Sequence, residues 1–332
     1  KISSERFQAP AMGEEVTNSA EFITGEWSTP QVVSYNGRDV LTYAVGIGCD
    51  EMKWIYEQDP GFEVFPTYAL VLSGQKGDTQ DWDTPASSDM YLGKATKKPV
   101  AEARPSAKPE KRFALKGVRV GVDAERYIEK LKALPTRGAR LEIRSRMYGV
   151  HKRGSGALVE SEAELYDPIT GEVFYKFVNA GFQIGARDFT DAGRTNSLAV
   201  KPPNRPPDAV EEMHVSAKQA HIYRLSGDYN PLHIDPAFPG IKGGGFRGPI
   251  LHGACTMGHA TRAVMRAFCG NAAANFKALK VRFSSPVLPG ETLVTKMWKE
   301  GSRVVFTTEV KETGKVCINN AYLDLAEPSS KL

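Results

Sequence analysis

The sequence predicts an α+β protein made of two related halves, each an antiparallel sheet packed on a helix. Three observations carry this. Residues 251–269 place Ala254, Met257, Thr261, Val264, Met265 and Phe268 at helical spacing. Residues 278–325 fall into four strand-like runs separated by very short turns. The same order of landmarks also recurs in both halves of the 332 residues.

That length is about twice a usual single domain, and 41% hydrophobic with 25% charged residues supplies a sizeable core, which excludes a wholly disordered chain. In the first half, Val33-Ser34 leads to Tyr43-Ala44-Val45-Gly46, then Leu134-Pro135, Leu141, Gly154 and Thr170-Gly171. The second half repeats this as Val215-Ser216, Tyr223 to Gly227, Leu288-Pro289, Leu293, Gly301 and Thr313-Gly314. Two stretches break the pattern. Residues 86–112 are rich in Lys, Ala, Pro and Ser without apolar periodicity and are expected to form a mobile insertion. Residues 201–208, with four prolines, are expected to form an extended, stiff linker.

In the second half, Gly253, Gly258, Ala260 and Ala263 give the 251–269 helix a surface that another element can approach closely. Strands are expected over 278–283, 291–299, 303–309 and 315–325. Val304, Phe306, Thr308 and Val310 show the period-two alternation of a half-buried strand. Pro289-Gly290, Gly301-Ser302 and Thr313-Gly314 are short turns that favour antiparallel hairpins.

The net charge is +4, from 43 Lys and Arg against 39 Asp and Glu. This suits an anionic small molecule and is too weak to indicate nucleic acid. No apolar run is long enough to span a bilayer, so membrane insertion is not expected. Four scattered cysteines (Cys49, Cys255, Cys269, Cys317) read as core thiols in a reducing compartment. The final Ser330-Lys331-Leu332 matches a peroxisomal address and implies an import receptor as partner.

A G-x-G-x-x-G run at Gly243 to Gly248 has polar turn sequence on both sides and Pro249 after it, so it reads as a flexible loop rather than a dinucleotide fingerprint. The informative segment is residues 223–236, Tyr-Arg-Leu-Ser-Gly-Asp-Tyr-Asn-Pro-Leu-His-Ile-Asp-Pro. Pro231 biases the chain toward a bend after a helix. Such a bend can point Asp228, Asn230 and His233 into one cavity, where they can hold and activate water. The alternative is that Asp228 and Asn230 only bond turn backbone and His233 is a packed surface group. A metal reading with Asp228, His233, Asp235 and His252 lacks any recognisable ligand spacing. Pro249-Ile250-Leu251-His252-Gly253 then opens the helix, where free N–H groups and the dipole suit a developing oxyanion. Gly253 can equally be a packing glycine.

These two runs, 223–236 and 249–253, resemble the signature of the eukaryotic (R)-specific enoyl-CoA hydratases, type 2, related to MaoC-like dehydratases and to the hydratase region of the peroxisomal multifunctional β-oxidation enzyme. Weaker similarity covers most of the chain, whereas the 86–112 insertion is unlike the family. The resemblance implies a double hot dog, in which each repeat wraps an antiparallel sheet around a long helix. The proline-rich stretch divides the chain into an N-terminal repeat over 1–200, the 201–208 linker, a catalytic repeat over 209–329 and the tripeptide 330–332, and the first repeat, with no histidine before His151, is expected to be non-catalytic and to house the acyl chain. The resemblance also implies reversible addition of water to a trans-2-enoyl-CoA to give the (3R)-3-hydroxyacyl-CoA. His233 is then the base, Asp228 the acid, Asn230 the residue orienting water, and Gly253 the thioester-oxygen donor. No metal or redox cofactor is expected, since CoA arrives with the substrate, and a homodimer is a compatible assembly. A carrier-protein-linked dehydratase, a thioesterase and a non-catalytic acyl-CoA-binding module are the competing readings.

Overall fold

The computed structural model describes residues 18–74 and 113–326, so the 86–112 insertion and the 330–332 tripeptide lie outside the described residues. One sheet organises the described chain. Its strands run β1 (Gln31–Asn36), β2 (Val120–Lys130), β3 (Gly138–Arg153), β4 (Gly156–Tyr166), β5 (Val173–Ile184) and the short β6 (Ala192–Gly193) in the first half. The second half supplies β7 (Ala209–His214), β8 (Phe276–Phe283), β9 (Thr292–Glu300), β10 (Arg303–Val310) and β11 (Val316–Leu325). The spatial order is β1-β3-β4-β5-β2-β8-β11-β10-β9-β7, with β6 on β3. Read outward from the central β2–β8 pair, the two halves show the same sequence of strands. All these pairings are antiparallel, as the short turns predict.

The helices pack on the inward face. They are α1 (Gly37–Gly46), α2 (Met52–Ile55), α3 (Ala69–Gly74), α4 (Gln219–Tyr223), α5 (Pro239–Gly243) and α6 (Gly253–Phe268). Asn36 starts α1 as a capping box, its side chain accepting from Arg38 and Asp39 N–H while Asp39 accepts from the Asn36 N–H. The 16-residue α6 is the central helix the apolar spacing predicts, buried over almost its whole length against β8–β11. The described helices of the first half are 10 residues or shorter.

The small residues of α6 are used as the sequence predicts. Ile47, just past α1, presses on Gly258, where a Cβ would stand 2.3 Å from its Cγ2. Polar links reinforce this junction between the halves: Gln219 donates to Val45 O at 3.0 Å, and Arg262 and Arg266 of α6 reach Asp50 at 2.8 and 2.6 Å. The proline-rich stretch 201–208 has no regular structure before β7 and is pinned where Arg205 bonds Asp208 and Glu300. All four cysteines are buried free thiols. Among the described residues no helix is long and apolar enough to cross a membrane.

Candidate active site

The site begins where α4 stops. A 3-10 turn over Arg224–Ser226 follows it and ends at Gly227, whose φ of 118° is a left-handed conformation that glycine adopts without a Cβ penalty. The chain then turns back through Asp228, Tyr229 and Asn230 into a second 3-10 turn, Pro231–His233. Asn230 caps it, its Oδ1 accepting from the Leu232 N–H at 3.0 Å, and Asp228 Oδ1 accepts from the Asn230 N–H at 3.2 Å. The bend therefore uses both side chains to hold its backbone, as the plainer reading expects. Asp228 stays exposed and its carboxylate remains available to solvent or substrate.

His233 is not a surface group. It is 8% exposed, and its Nδ1 lies 2.9 Å from the Ile250 carbonyl. A carbonyl only accepts, so Nδ1 carries the proton and Nε2 presents a lone pair. Burial pushes the imidazole below its usual pKa of 6.5, against the opposing pull of Asp228 and the Ile250 hydrogen bond. The site thus holds a neutral base of fixed tautomer beside a carboxylate.

His252 stands behind this pair. Its ring stacks on His233 at 3.7 Å between centroids and 26° between planes, and its Nε2 bonds the Asp228 carbonyl at 3.1 Å. Tyr223 also packs against it, at 4.9 Å between ring centroids. His252 also immediately precedes α6, whose first turn has no side-chain cap. Gly253, the first helical residue, packs on the Phe283 ring at 3.4 Å from an added Cβ, and the uncapped N–H end of the helix opens beside it.

Three of the four residues in the metal reading do converge. Asp228, His233 and His252 each bring one ligand-type atom within 4.8 Å of the others, while Asp235 turns away to accept from the Ala237 N–H. His233 Nδ1 and His252 Nε2 are both engaged by main-chain carbonyls, which leaves an arrangement suited to moving protons. The Gly243–Gly248 run starts at the last residue of the five-residue α5 and opens no helix, so the dinucleotide reading has no structural context. In the first half, the counterpart of the bend ends at Asp50, whose carboxylate is turned onto Arg262 and Arg266.

A cavity of about 420 Å³ lies on the first-half sheet, lined by residues of β2, β3, β4 and β5. Ser161, Asn179 and Arg126 form one cross-strand row on its floor, and Arg126 pairs in turn with Val281 of β8. A bulge between Asp123 and Glu125 brings Asp123 to the same side as Arg126, which it bonds at 3.1 Å. Burial raises the Asp123 pKa, Arg126 opposes this, and the charge of Asp228 adds to the rise. The cavity and the Asp228–His233 bend therefore share one electrostatic neighbourhood. Sequence reasoning missed this row, whose polar members become neighbours only through strand pairing. It also saw His252 only as a candidate metal ligand.

Comparison with known proteins bears on the family and the fold. A family model described as a MaoC like domain matches residues 199–321, and one described as the MFE-2 hydratase 2 N-terminal domain matches residues 33–90. The MaoC-like dehydratase of Phytophthora capsici superposes with a TM-score of 0.77 at 34% identity, covering 93% of this chain and 99% of that one. The two-repeat sheet around α6, with its Asp–His bend at the helix start, is thus a double hot dog of the MaoC-like hydratase and dehydratase class. The peroxisomal enoyl-CoA hydratase 2 of Arabidopsis thaliana is 34% identical over 90% of this chain and 93% of its own length. The chain belongs to the enoyl-CoA hydratase 2 family. It is also 38% identical to the peroxisomal multifunctional enzyme type 2 of Drosophila melanogaster, over 90% of this chain but only 47% of that protein. The chain spans less than half the length of the multifunctional relatives it matches.

Proposed function

We propose that the protein catalyses reversible hydration of trans-2-enoyl-CoA to (3R)-3-hydroxyacyl-CoA in peroxisomal β-oxidation. The observation that carries this reading is the buried His233, its Nδ1 tied to Ile250 and its Nε2 free, beside Asp228 and the uncapped start of α6. His233 Nε2 takes a proton from water as the oxygen adds to C3. The electron pair of the double bond moves toward the thioester oxygen, where the Gly253 N–H and the helix dipole stabilise the charge. Asp228 delivers a proton to C2, and the proton that His233 took from water passes to Asp228, which returns the pair to its starting state. Asn230, whose Oδ1 is committed to the turn, has its amide NH₂ left to orient water.

CoA is carried by the substrate, and no other cofactor enters these steps. The first half acts as the non-catalytic repeat, its 420 Å³ cavity receiving the acyl chain. The peroxisomal setting is supported by the names of the relatives.

The test is loss of the conjugated-thioester absorbance of a trans-2-enoyl-CoA on adding the protein, with the product coupled to stereospecific 3-hydroxyacyl-CoA dehydrogenases. Hydration with oxidation by the (R)-specific enzyme is expected. Release of free thiol, activity confined to carrier-protein substrates, binding without turnover, or an (S) product would each overturn the reading.

A further inference from the structure

The structure assigns His252 a role the hydration chemistry does not name. We propose that His252 is the positioning residue of the site, its one N–H fixing the Asp228 main chain and its ring face fixing the His233 ring. This rests on the hydration reading of the Asp228–His233 pair.

Two side-chain contacts and one main-chain link converge on this residue. The Nε2–H donates to the Asp228 carbonyl at 3.1 Å, the ring lies 3.7 Å from that of His233, and its own peptide leads into Gly253. The acid, the base and the oxyanion donor are therefore all tied to a single residue that is 1% exposed. Fixing groups of this kind before substrate arrives is how a site gains from orientation. Tyr223 packs against the same ring at 4.9 Å, and close packing of this kind restricts how far a buried ring can move.

The contacts also set the protonation state of the ring. With Nε2 donating, Nδ1 is the unprotonated nitrogen, and it is buried without a hydrogen-bond partner. A second proton there would be a buried, unsatisfied donor. The charged and titratable groups facing the ring are His233 and Asp228 of the bend, Tyr223 of α4 and Arg224 of the turn. Burial and His233 push the His252 imidazole down to about 2, with the Asp228 hydrogen bond opposing and Arg224 adding to the fall. The stack then has a direction. His233 becomes an imidazolium each time it takes the water proton, and a neutral ring face stabilises that charge. Two charged rings at this separation would repel.

The experiment compares His252→Phe, which keeps the ring face and loses the N–H, with His252→Gln, which keeps a donor and loses the ring. Asp228→Ala and His233→Ala are measured beside them. Both His252 variants are expected to lose about 10²-fold in kcat, with KM for the enoyl-CoA within about threefold of the parent. In the His233→Ala background neither should cost anything further, because the residue acts through the dyad. Parent-like kcat in both variants, a loss carried by KM alone, or a full additional loss without His233 would overturn the role. Near-normal turnover by Asp228→Ala and His233→Ala would overturn the hydration reading itself, and this role with it. Nitrogen NMR on the unaltered protein tests the same point without a substitution. A His252 ring protonated only on Nε2 and constant from pH 5 to 9 is expected, and one that titrates in that range or carries its proton on Nδ1 overturns the proposal.

Discussion

Ile47 sits against Gly258 so closely that one methyl group on the glycine would meet the Ile47 side chain at 2.3 Å. This contact joins the segment after α1 to the central helix of the other half. Ala is the better helix former by about 1 kcal/mol, but overpacking a core costs about 1–3 kcal/mol, so the clash wins. Gly258→Ala should therefore lower the denaturant midpoint. Adding Ile47→Ala, which removes the nearest atom, should make the double variant less unstable than the sum of the two singles. Strict additivity of the two midpoints would show that the contact is not the cause.

The Asp228–His233 pair should behave as one unit. Replacing either by Ala is expected to cost about 10²–10⁴ in turnover, the usual scale for a general acid or base. The double replacement should be little worse than the poorer single, since neither residue completes the proton transfers alone. Steady-state hydration rates decide this, and a multiplicative loss in the double variant would argue against a shared step.

The pH dependence of catalysis follows from the burial of His233. The base works as neutral imidazole, and its pKa is lowered from the usual 6.5. A lowered pKa keeps it neutral to more acid pH, so the acid limb of kcat/KM should fall below pH 6.5. A limb centred above that value would mean that the titrating group is not His233.

His259 gives a separate stability prediction, remote from the chemistry. It is 2% exposed with neither ring nitrogen hydrogen-bonded, and burial together with Arg262 pushes it down to about 3. The unfolded chain binds this proton near 6.5 and the folded one does not, so stability is full above 6.5 and declines as pH falls toward about 3. His259→Leu removes a buried polar group without a partner, so it should be nearly neutral at pH 7 and flatten that decline. Thermal midpoints from pH 7 to 4 measure it. An unchanged slope would place the acid sensitivity on other groups.

Much of this is legible in the sequence because it is local. The spacing from Ala254 to Phe268 fixes α6, and the alternation at Val304 to Val310 fixes a strand, since each pattern reports one face of one element. The bend is legible because Gly227, Asn230 and Pro231 each impose backbone geometry within a few residues. What pairing creates is not. Ser161, Asn179 and Arg126 lie on three strands, and only the register makes them one row. His252 looks like an ordinary residue before a helix until the fold stacks it on His233, 19 positions away in the chain.

The first-half cavity predicts how the protein selects chain length. Ser161 and Val159 line it on β4, inward on the same strand face as the core residues Ala163 and Leu165. The sheet therefore offers room beside the core, and Asp123 on its lining feels the charge of Asp228. Each methylene buried there contributes about 0.8 kcal/mol, so an acyl chain reaching the cavity gains affinity that a four-carbon chain cannot. Ser161→Phe should fill part of this space without touching the dyad. The expected result is at least a tenfold fall in kcat/KM for a ten-carbon enoyl-CoA, with the four-carbon substrate nearly unaffected, because losing two buried methylenes costs about 1.6 kcal/mol. Active-site titration with a tight enoyl-CoA analogue should give one ligand per chain, since Asp50 of the first half is held by Arg262 and Arg266 and no histidine precedes His151. Equal loss for both chain lengths would mean that the substitution disturbs the catalytic bend, and no loss for the longer chain would place the acyl group elsewhere.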